Sequence, residues 1–387
     1  MDVDYELASW SNLLTYSAMA VYAIAFIVYA FDLFGGQRLR STEAASGDRK
    51  ATAGARGAGS ADRSGARADA RTSARSGVRR TSRGASVAVL DEADTTTAEA
   101  PASGGPADGA GAGSGGRGGV KGRASGGDAA EELDLGPRSR KLARIATSLT
   151  VLALVLHVGA VLTRALSVMR VPWGNMMEYA MTAAAIAGIV YLVALRFRDM
   201  RYLGTFVTGA ILVTLGLCIT VFYTPAAQLV PALQNYWIYI HVPIAILSTA
   251  LLSVSAAMAL FQICKAWSES RGSSRRLAFM DRVPSSGDIE QVSYRIAAVG
   301  FITWTFTLIA GAIWAELAWG RPWGWDSKEI WTFVVWVIYA AYLHARATRG
   351  WGPTKVAVLN LIGMASLVFN FAIVNVYFDG LHSYSGV

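Results

Sequence analysis

Cysteine is scarce in this chain: two of 387 residues, Cys218 and Cys264, forming neither a C-x-x-C nor a C-x-x-C-H motif. That spacing excludes a thioredoxin-like reductant and a c-type cytochrome. Both cysteines lie in or beside apolar runs, where a free thiol is expected to be buried. Charged residues make up only 16% of the chain, against 53% hydrophobic ones. The net charge of +8 does not point to nucleic acid. The basic residues fall in short segments between apolar runs and in one low-complexity stretch, as membrane topology requires. A cleaved leader is also not expected at the start. The flank before the first apolar run is acidic (Asp2, Asp4, Glu6), the basic residues Arg38 and Arg40 follow it, and no small-residue cleavage site comes after.

What the chain has in abundance is long apolar runs, among them Thr205–Tyr223, Ile296–Ala315 and Val356–Val376. The hydrocarbon core of a bilayer needs about 20 helical residues to cross. In lipid every backbone polar group must be paired internally, so such runs are helices. The pattern predicts an all-α, polytopic helical bundle with spans near 11–34, 142–168, 175–196, 203–223, 238–266, 292–315, 329–347 and 355–377. Lysine and arginine cluster after the first, third, fifth and seventh spans and before the second. The positive-inside rule then places both termini outside a cell membrane. The exceptions at the outer level are Arg164, Arg170, Arg321 and Lys328. Residues 36–136 are rich in Gly, Ala, Ser, Arg and Asp and poor in aromatics. Such a segment cannot bury enough apolar surface to order itself, so a disordered cytoplasmic linker is expected. It separates an N-terminal helix (1–35) from a seven-helix core (137–387).

The four histidines, His157, His241, His344 and His382, all lie in or beside the apolar spans. A lone helical histidine is more often a packed residue than a ligand. Here His241 opens the fifth span and His382 follows the last, which puts both at one membrane level. Neutral imidazole is a good axial ligand for haem iron, and such a pair can hold it from both faces. Between them, at the same level, runs a stretch with Trp314, Trp319, Trp323, Trp325 and Trp331, interleaved with Gly and Pro. This is denser than an ordinary interfacial belt of tryptophans. Flat indoles suit a flat macrocycle by stacking and apolar burial. Arg321, Lys328, Arg164 and Arg170 are candidates to pair with haem propionates. Asp326 and Glu329 are expected to bond indole N–H groups, Lys328 or backbone, since an unpaired buried carboxylate is costly.

The stretch WAELAWGRPWGWDSKEIWTF resembles the tryptophan-rich WWD signature of the haem-handling proteins of cytochrome c maturation. It is most similar to the CcsA/ResC type, often labelled CcsB in high-GC bacteria. QNYWIYIHVPIAILS resembles the family's segment with the external histidine before the signature, here His241. DGLHSY resembles the one after it, here His382. YLHAR resembles the segment of the membrane-embedded histidine, here His344. VPWGNMMEYAM resembles the P-x-x-N-x-x-E segment, here Pro172, Asn175 and Glu178. The likeness covers about residues 142–387 and departs at Ser327, where the family usually has proline after the aspartate.

The resemblance implies that haem b is bound as substrate and presented outside beneath the tryptophan-rich loop (314–331). His241 and His382 would ligate the iron there, with Trp314, Trp319, Trp323, Trp325, Asp326, Trp331 and Arg321 around them. His344 would be an inner haem ligand, and His157 is read as structural. The chain would then be the haem-binding subunit of a cytochrome c synthetase. Its implied partners are a ResB-type membrane protein, apocytochrome c with its C-x-x-C-H thiols, a thioredoxin-like reductant and membrane lipid, but no nucleic acid. Two other readings stay open: a protein that delivers haem to a chaperone, and an electron-transfer cytochrome b.

Overall fold

The computed structural model describes residues 3–58, 137–271 and 278–382. Among them are eight helices long and apolar enough to cross a membrane, in the order expected from the hydrophobic runs. They are α1 (Tyr5–Ala58), α2 (Pro137–Val168), α3 (Met176–Phe197), α4 (Gly204–Thr220), α5 (Ile238–Arg271), α6 (Ser286–Trp319), α7 (Ser327–Ala347) and α8 (Pro353–Val368). α8 continues through a π-helical turn, Phe369–Val374, as far as Tyr377. The protein is a multi-pass membrane helical bundle.

Two boundaries differ from the sequence reading. The helical backbone of α1 runs to Ala58, past residue 36, where a linker was expected to begin. The remainder of that segment, 59–136, lies outside the described residues, and so does the expectation that it is disordered. The loop expected over 314–331 is shorter, because Trp314 and Trp319 belong to α6 and Trp331 to α7. α6 stops at Gly320, whose φ of 70° is the left-handed conformation that glycine adopts without a Cβ penalty. α7 starts at Asp326, whose side chain caps it.

α5 is the central helix and packs against α3, α4, α6 and α8. Its sequence explains why. Small residues such as Ala245, Ser248, Ala250, Ser255, Ala256 and Ala259 face inward and let neighbours approach closely. Hydroxyls on that face then tie the helices together. Ser248 Oγ donates to the Gly300 carbonyl at 2.7 Å. Ser255 and Ser293 hydroxyls lie 3.0 Å apart, and Asn360 Nδ2 of α8 donates to Ser255 Oγ at 2.8 Å. In a lipid environment apolar burial gives little drive for helix association, so these interhelical bonds and close contacts do that work. On the other side, α1 docks on α2 through Ser11 Oγ to the Ala160 carbonyl (2.8 Å) and the Tyr29–Thr147 hydroxyl pair (2.9 Å).

Candidate functional site

At one end of the bundle, the start of α5, the end of α6, the start of α7 and the end of α8 converge on a cavity of about 260 Å³. The short α6–α7 loop is its rim. The loop turns at Trp325, which has a φ of 59° and is 72% exposed. A left-handed backbone at a non-glycine residue costs on the order of 1–2 kcal/mol and must be held from outside. Glu329 holds it. Its Oε2 accepts from the Gly324 N–H (2.7 Å) and the Asp326 N–H (3.2 Å), on either side of the strained residue. Asp326 reciprocates, capping α7 with a hydrogen bond from the Lys328 N–H at 2.9 Å. This capping box therefore fixes both the helix start and the loop. Arg321 folds back over Gly324, where a Cβ would sit 0.8 Å from its Nη1, and ends 3.8 Å from Glu329.

His241 and His382 both line this cavity, with Trp314, Trp319 and Trp323. The His241 ring lies edge-on to Trp314, centroids 5.6 Å apart, and the His382 ring edge-on to Trp319 at 4.7 Å. His382 Nδ1 is 3.2 Å from Asp326 Oδ1. Burial holds the His382 imidazole below its ordinary range, against the pull of Asp326, so it is neutral at neutral pH. Burial also pushes the Asp326 carboxyl up. The Lys328 and Leu381 N–H groups and His382 outweigh that and keep it below the usual carboxylate range. An ionised Asp326 accepting from Nδ1–H fixes the tautomer that leaves the His382 Nε2 lone pair for a ligand.

Four buried polar atoms on the wall of this one cavity have no hydrogen-bond partner among the described residues: His241 Nδ1, Trp173 Nε1, Trp314 Nε1 and Asn370 Oδ1. A buried polar atom left unpaired costs about 1–3 kcal/mol, so a cluster of them marks a place where a ligand or water completes the set. Space around His241 is also tight. A Cβ at Gly311 would sit 3.0 Å from its Cε1. Gly311→Ala is therefore expected to turn the imidazole without unfolding the bundle. If the cavity takes the haem expected from the sequence, the check is unchanged protein level with a several-fold loss of bound haem; undiminished binding would show that the ring position is immaterial.

The remaining expected residues fall elsewhere. Trp325 projects from the rim. Trp331 packs on Phe369, ring centroids 4.3 Å apart, and does not line the cavity. Arg321 and Asp326 brace the loop and His382 and are not on the cavity wall. His344 is exposed near the far end of α7, about 17 residues and so roughly 25 Å from the loop along the helix. His157 is fully buried in α2, edge-on to Tyr22 at 6.0 Å.

Arg164 and Arg170, grouped with the cavity cations from sequence, are engaged with another acid. Buried Glu178 accepts from Arg164 Nε (3.1 Å), Arg170 Nη1 (2.8 Å) and the Gly174 N–H (2.9 Å). The two guanidinium groups also donate to the carbonyls of Thr224 and Ala227. This knot ties the α2–α3 turn to the α4–α5 loop. It fixes the segment from which Trp173, Asn175 and Tyr179 face the cavity. Asn175 caps α3, its side chain accepting from the Glu178 N–H at 2.9 Å. Sequence reasoning missed Trp173, Tyr179 and Asn370 as cavity residues. For Trp173 and Tyr179 a signal existed, since both lie inside the VPWGNMMEYAM segment.

The sequence profile of the cytochrome C assembly protein family matches residues 173–382, more than half of the chain and the whole of the cavity. The cytochrome c biogenesis protein CcsA of Thermosynechococcus vestitus is 36% identical over 192 residues, covering 41% of this chain and 60% of that protein. CcsA of Prochlorococcus marinus is 34% identical, with 41% and 57% covered. The likeness thus spans less than two thirds of either relative. CcsA of Gloeobacter violaceus is 29% identical over 296 residues, covering 63% of this chain and 87% of its own. Among solved structures, the cytochrome c haem lyase CcmF is similar at 18% identity and a TM-score of 0.45, over 60% of this chain and 41% of that one. The chain belongs to the cytochrome C assembly protein family.

Proposed function

We propose that the cavity holds haem b as substrate, ligated by His241 and His382, and presents it at the extracytoplasmic face for attachment to a C-x-x-C-H apocytochrome c. The observation that supports this most is the convergence on one tryptophan-walled cavity of two histidines and the four unpaired polar atoms. Pockets that bind organic ligands have this make-up: apolar walls with a few placed polar groups. On this reading one edge of the macrocycle projects past the rim formed by Gly320–Asp326.

The chemistry is addition of each thiol across a vinyl group. Sulfur bonds to one vinyl carbon, the thiol proton goes to the other, and no oxidant or reductant is consumed. The chain's part is placement. Its histidines fix the macrocycle, its indoles cover the faces, and its loop sets which edge meets the peptide. The thiols must arrive reduced, a task suited to a thioredoxin-like partner. His344, exposed at the opposite end of α7, is suited to share a haem with a ligand from a ResB-type membrane partner during uptake. Purified chain with that partner, loaded with haem and given a reduced C-x-x-C-H peptide, is expected to yield peptide-bound haem by mass and haemochrome spectrum. Haem that stays on the protein under those conditions favours a resident cytochrome; haem passed on without a covalent bond favours a delivery protein.

This reading requires the loop end of the bundle to face outward. Export-dependent reporters fused at residue 90 and at the C-terminus are expected to be inactive and active, respectively. Activity of the fusion at residue 90 reverses the topology and removes the presentation step.

A further inference from the structure

Four cations lie toward the loop end, but one of them reaches the cavity wall. Arg164 and Arg170 are bound to Glu178, and Arg321 lies over Gly324 beside Glu329. Lys328, in the first turn of α7, lines the cavity. Its Nζ donates to the backbone carbonyl of Asn370 at 2.8 Å. That carbonyl belongs to the π-helical turn Phe369–Val374, and such turns recur at functional sites. The same residue turns its side chain to the cavity. Asn370 is 3% exposed, its Nδ2 donates to Thr332 Oγ1 at 3.2 Å, and its Oδ1 has no partner among the described residues.

An ammonium has three N–H donors, and the Asn370 carbonyl takes one of them. The nearby carboxylates are occupied. Asp326 accepts from His382 and from the Lys328 and Leu381 N–H groups. Glu329 spans the loop N–H groups and faces Arg321. Among the described residues no ion pair reaches Lys328. A buried lysine without an ion-pair partner is costly to charge and marks a place where an acidic ligand can supply the counter-ion.

We propose that Lys328, seated on the α8 π-turn, is the anchor for a carboxylate carried by the cavity's ligand, which on the haem reading above is a propionate. Asn370 Oδ1 beside it supplies an acceptor for a bridging water or for the remaining ammonium N–H. In a protoporphyrin the acidic side chains and the vinyl groups lie toward different edges of the ring. An acid held at α7–α8 therefore sets the orientation as well as the affinity, and turns the vinyl-bearing part away from Lys328.

The test uses metal-free protoporphyrin IX and its dimethyl ester, titrated into the purified full-length protein by porphyrin and tryptophan fluorescence. Without iron, histidine ligation does not enter. Wild type is expected to prefer the free acid over the ester about tenfold, the scale of a hydrogen bond to a charged group. Lys328→Gln should lose that preference and bind both porphyrins as wild type binds the ester. Lys328→Arg should keep most of it, which guards against a fold defect. The ratio of the two ligands within each variant cancels their different partitioning into detergent. Equal binding of acid and ester by wild type, or an unchanged preference in Lys328→Gln, overturns the anchor and leaves the haem reading standing. If neither porphyrin binds to folded protein, the anchor falls, and a parallel titration with haem itself decides the haem reading.

Discussion

Replacing either His241 or His382 by Ala is expected to remove most of the bound haem, by about tenfold or more, and to stop holocytochrome formation while the protein still inserts at normal level. The two rings face one cavity, so loss of either leaves iron with an open position and changes the absorption spectrum as well as the yield. Added imidazole refills the gap that Ala leaves and should restore part of the spectrum. His157→Ala is the contrast. That ring is fully buried against Tyr22 and lies away from the cavity, so its loss should lower protein level and leave the spectrum per molecule unchanged. Wild-type spectra and yields in both His241→Ala and His382→Ala would sink the bis-histidine site. Asp326→Asn offers a finer reading of the same site. The amide no longer fixes the His382 tautomer, so the spectrum should broaden before haem is lost.

Glu178→Gln is expected to destabilise the bundle by about 3–5 kcal/mol, the range seen when one partner of a buried ionic group is removed. Arg164 is 1% exposed and Arg170 is 8%, and Glu178 supplies the negative charge that both face. Solvent cannot compensate for its loss there. The measurement is melting of the detergent-solubilised protein, followed by size-exclusion with fluorescence detection. Glu316→Gln, on the exposed face of α6, serves as control and should melt like wild type. An unshifted melting curve for Glu178→Gln would show that the knot is not a stabilising element. A haem defect should follow the loss of stability, because Trp173 and Tyr179 are carried on the same segment.

The spans were legible because lipid leaves so little choice. A run such as Thr205–Tyr223 must be helical once it enters hydrocarbon, and α4 covers Gly204–Thr220. The level of each histidine followed from the helix ends alone, which is why His241 and His382 were paired and His344 was set apart. What the sequence did not disclose was rotation about the helix axes. Arg164, Arg170, Arg321 and Lys328 share a level, yet only Lys328 turns toward the cavity, and that depends on how α2, α3 and α7 are packed. Trp331 was grouped with the other tryptophans for the same reason, although it packs on Phe369. The π-turn at Phe369–Val374 has no periodic signature in FNFAIV, so Asn370 could not be placed on the cavity beforehand.

The Arg164–Glu178–Arg170 knot also bears on how the chain is made. Glu178 lies 14 residues from Arg164 and 8 from Arg170, so these ion pairs close within the α2–α3 hairpin. The carbonyls of Thr224 and Ala227 arrive much later in the chain, 60 residues from Arg164 and 57 from Arg170. During synthesis the hairpin emerges with acid and bases already able to neutralise one another. Unpaired, each charge would add roughly 2.5–3.5 kcal/mol to insertion if it passed the bilayer centre. Local closure is fast compared with long-range pairing. The expected order of biogenesis is therefore entry of α2 and α3 as one unit, followed by α4, whose trailing loop docks on a polar clasp that its predecessors have already formed.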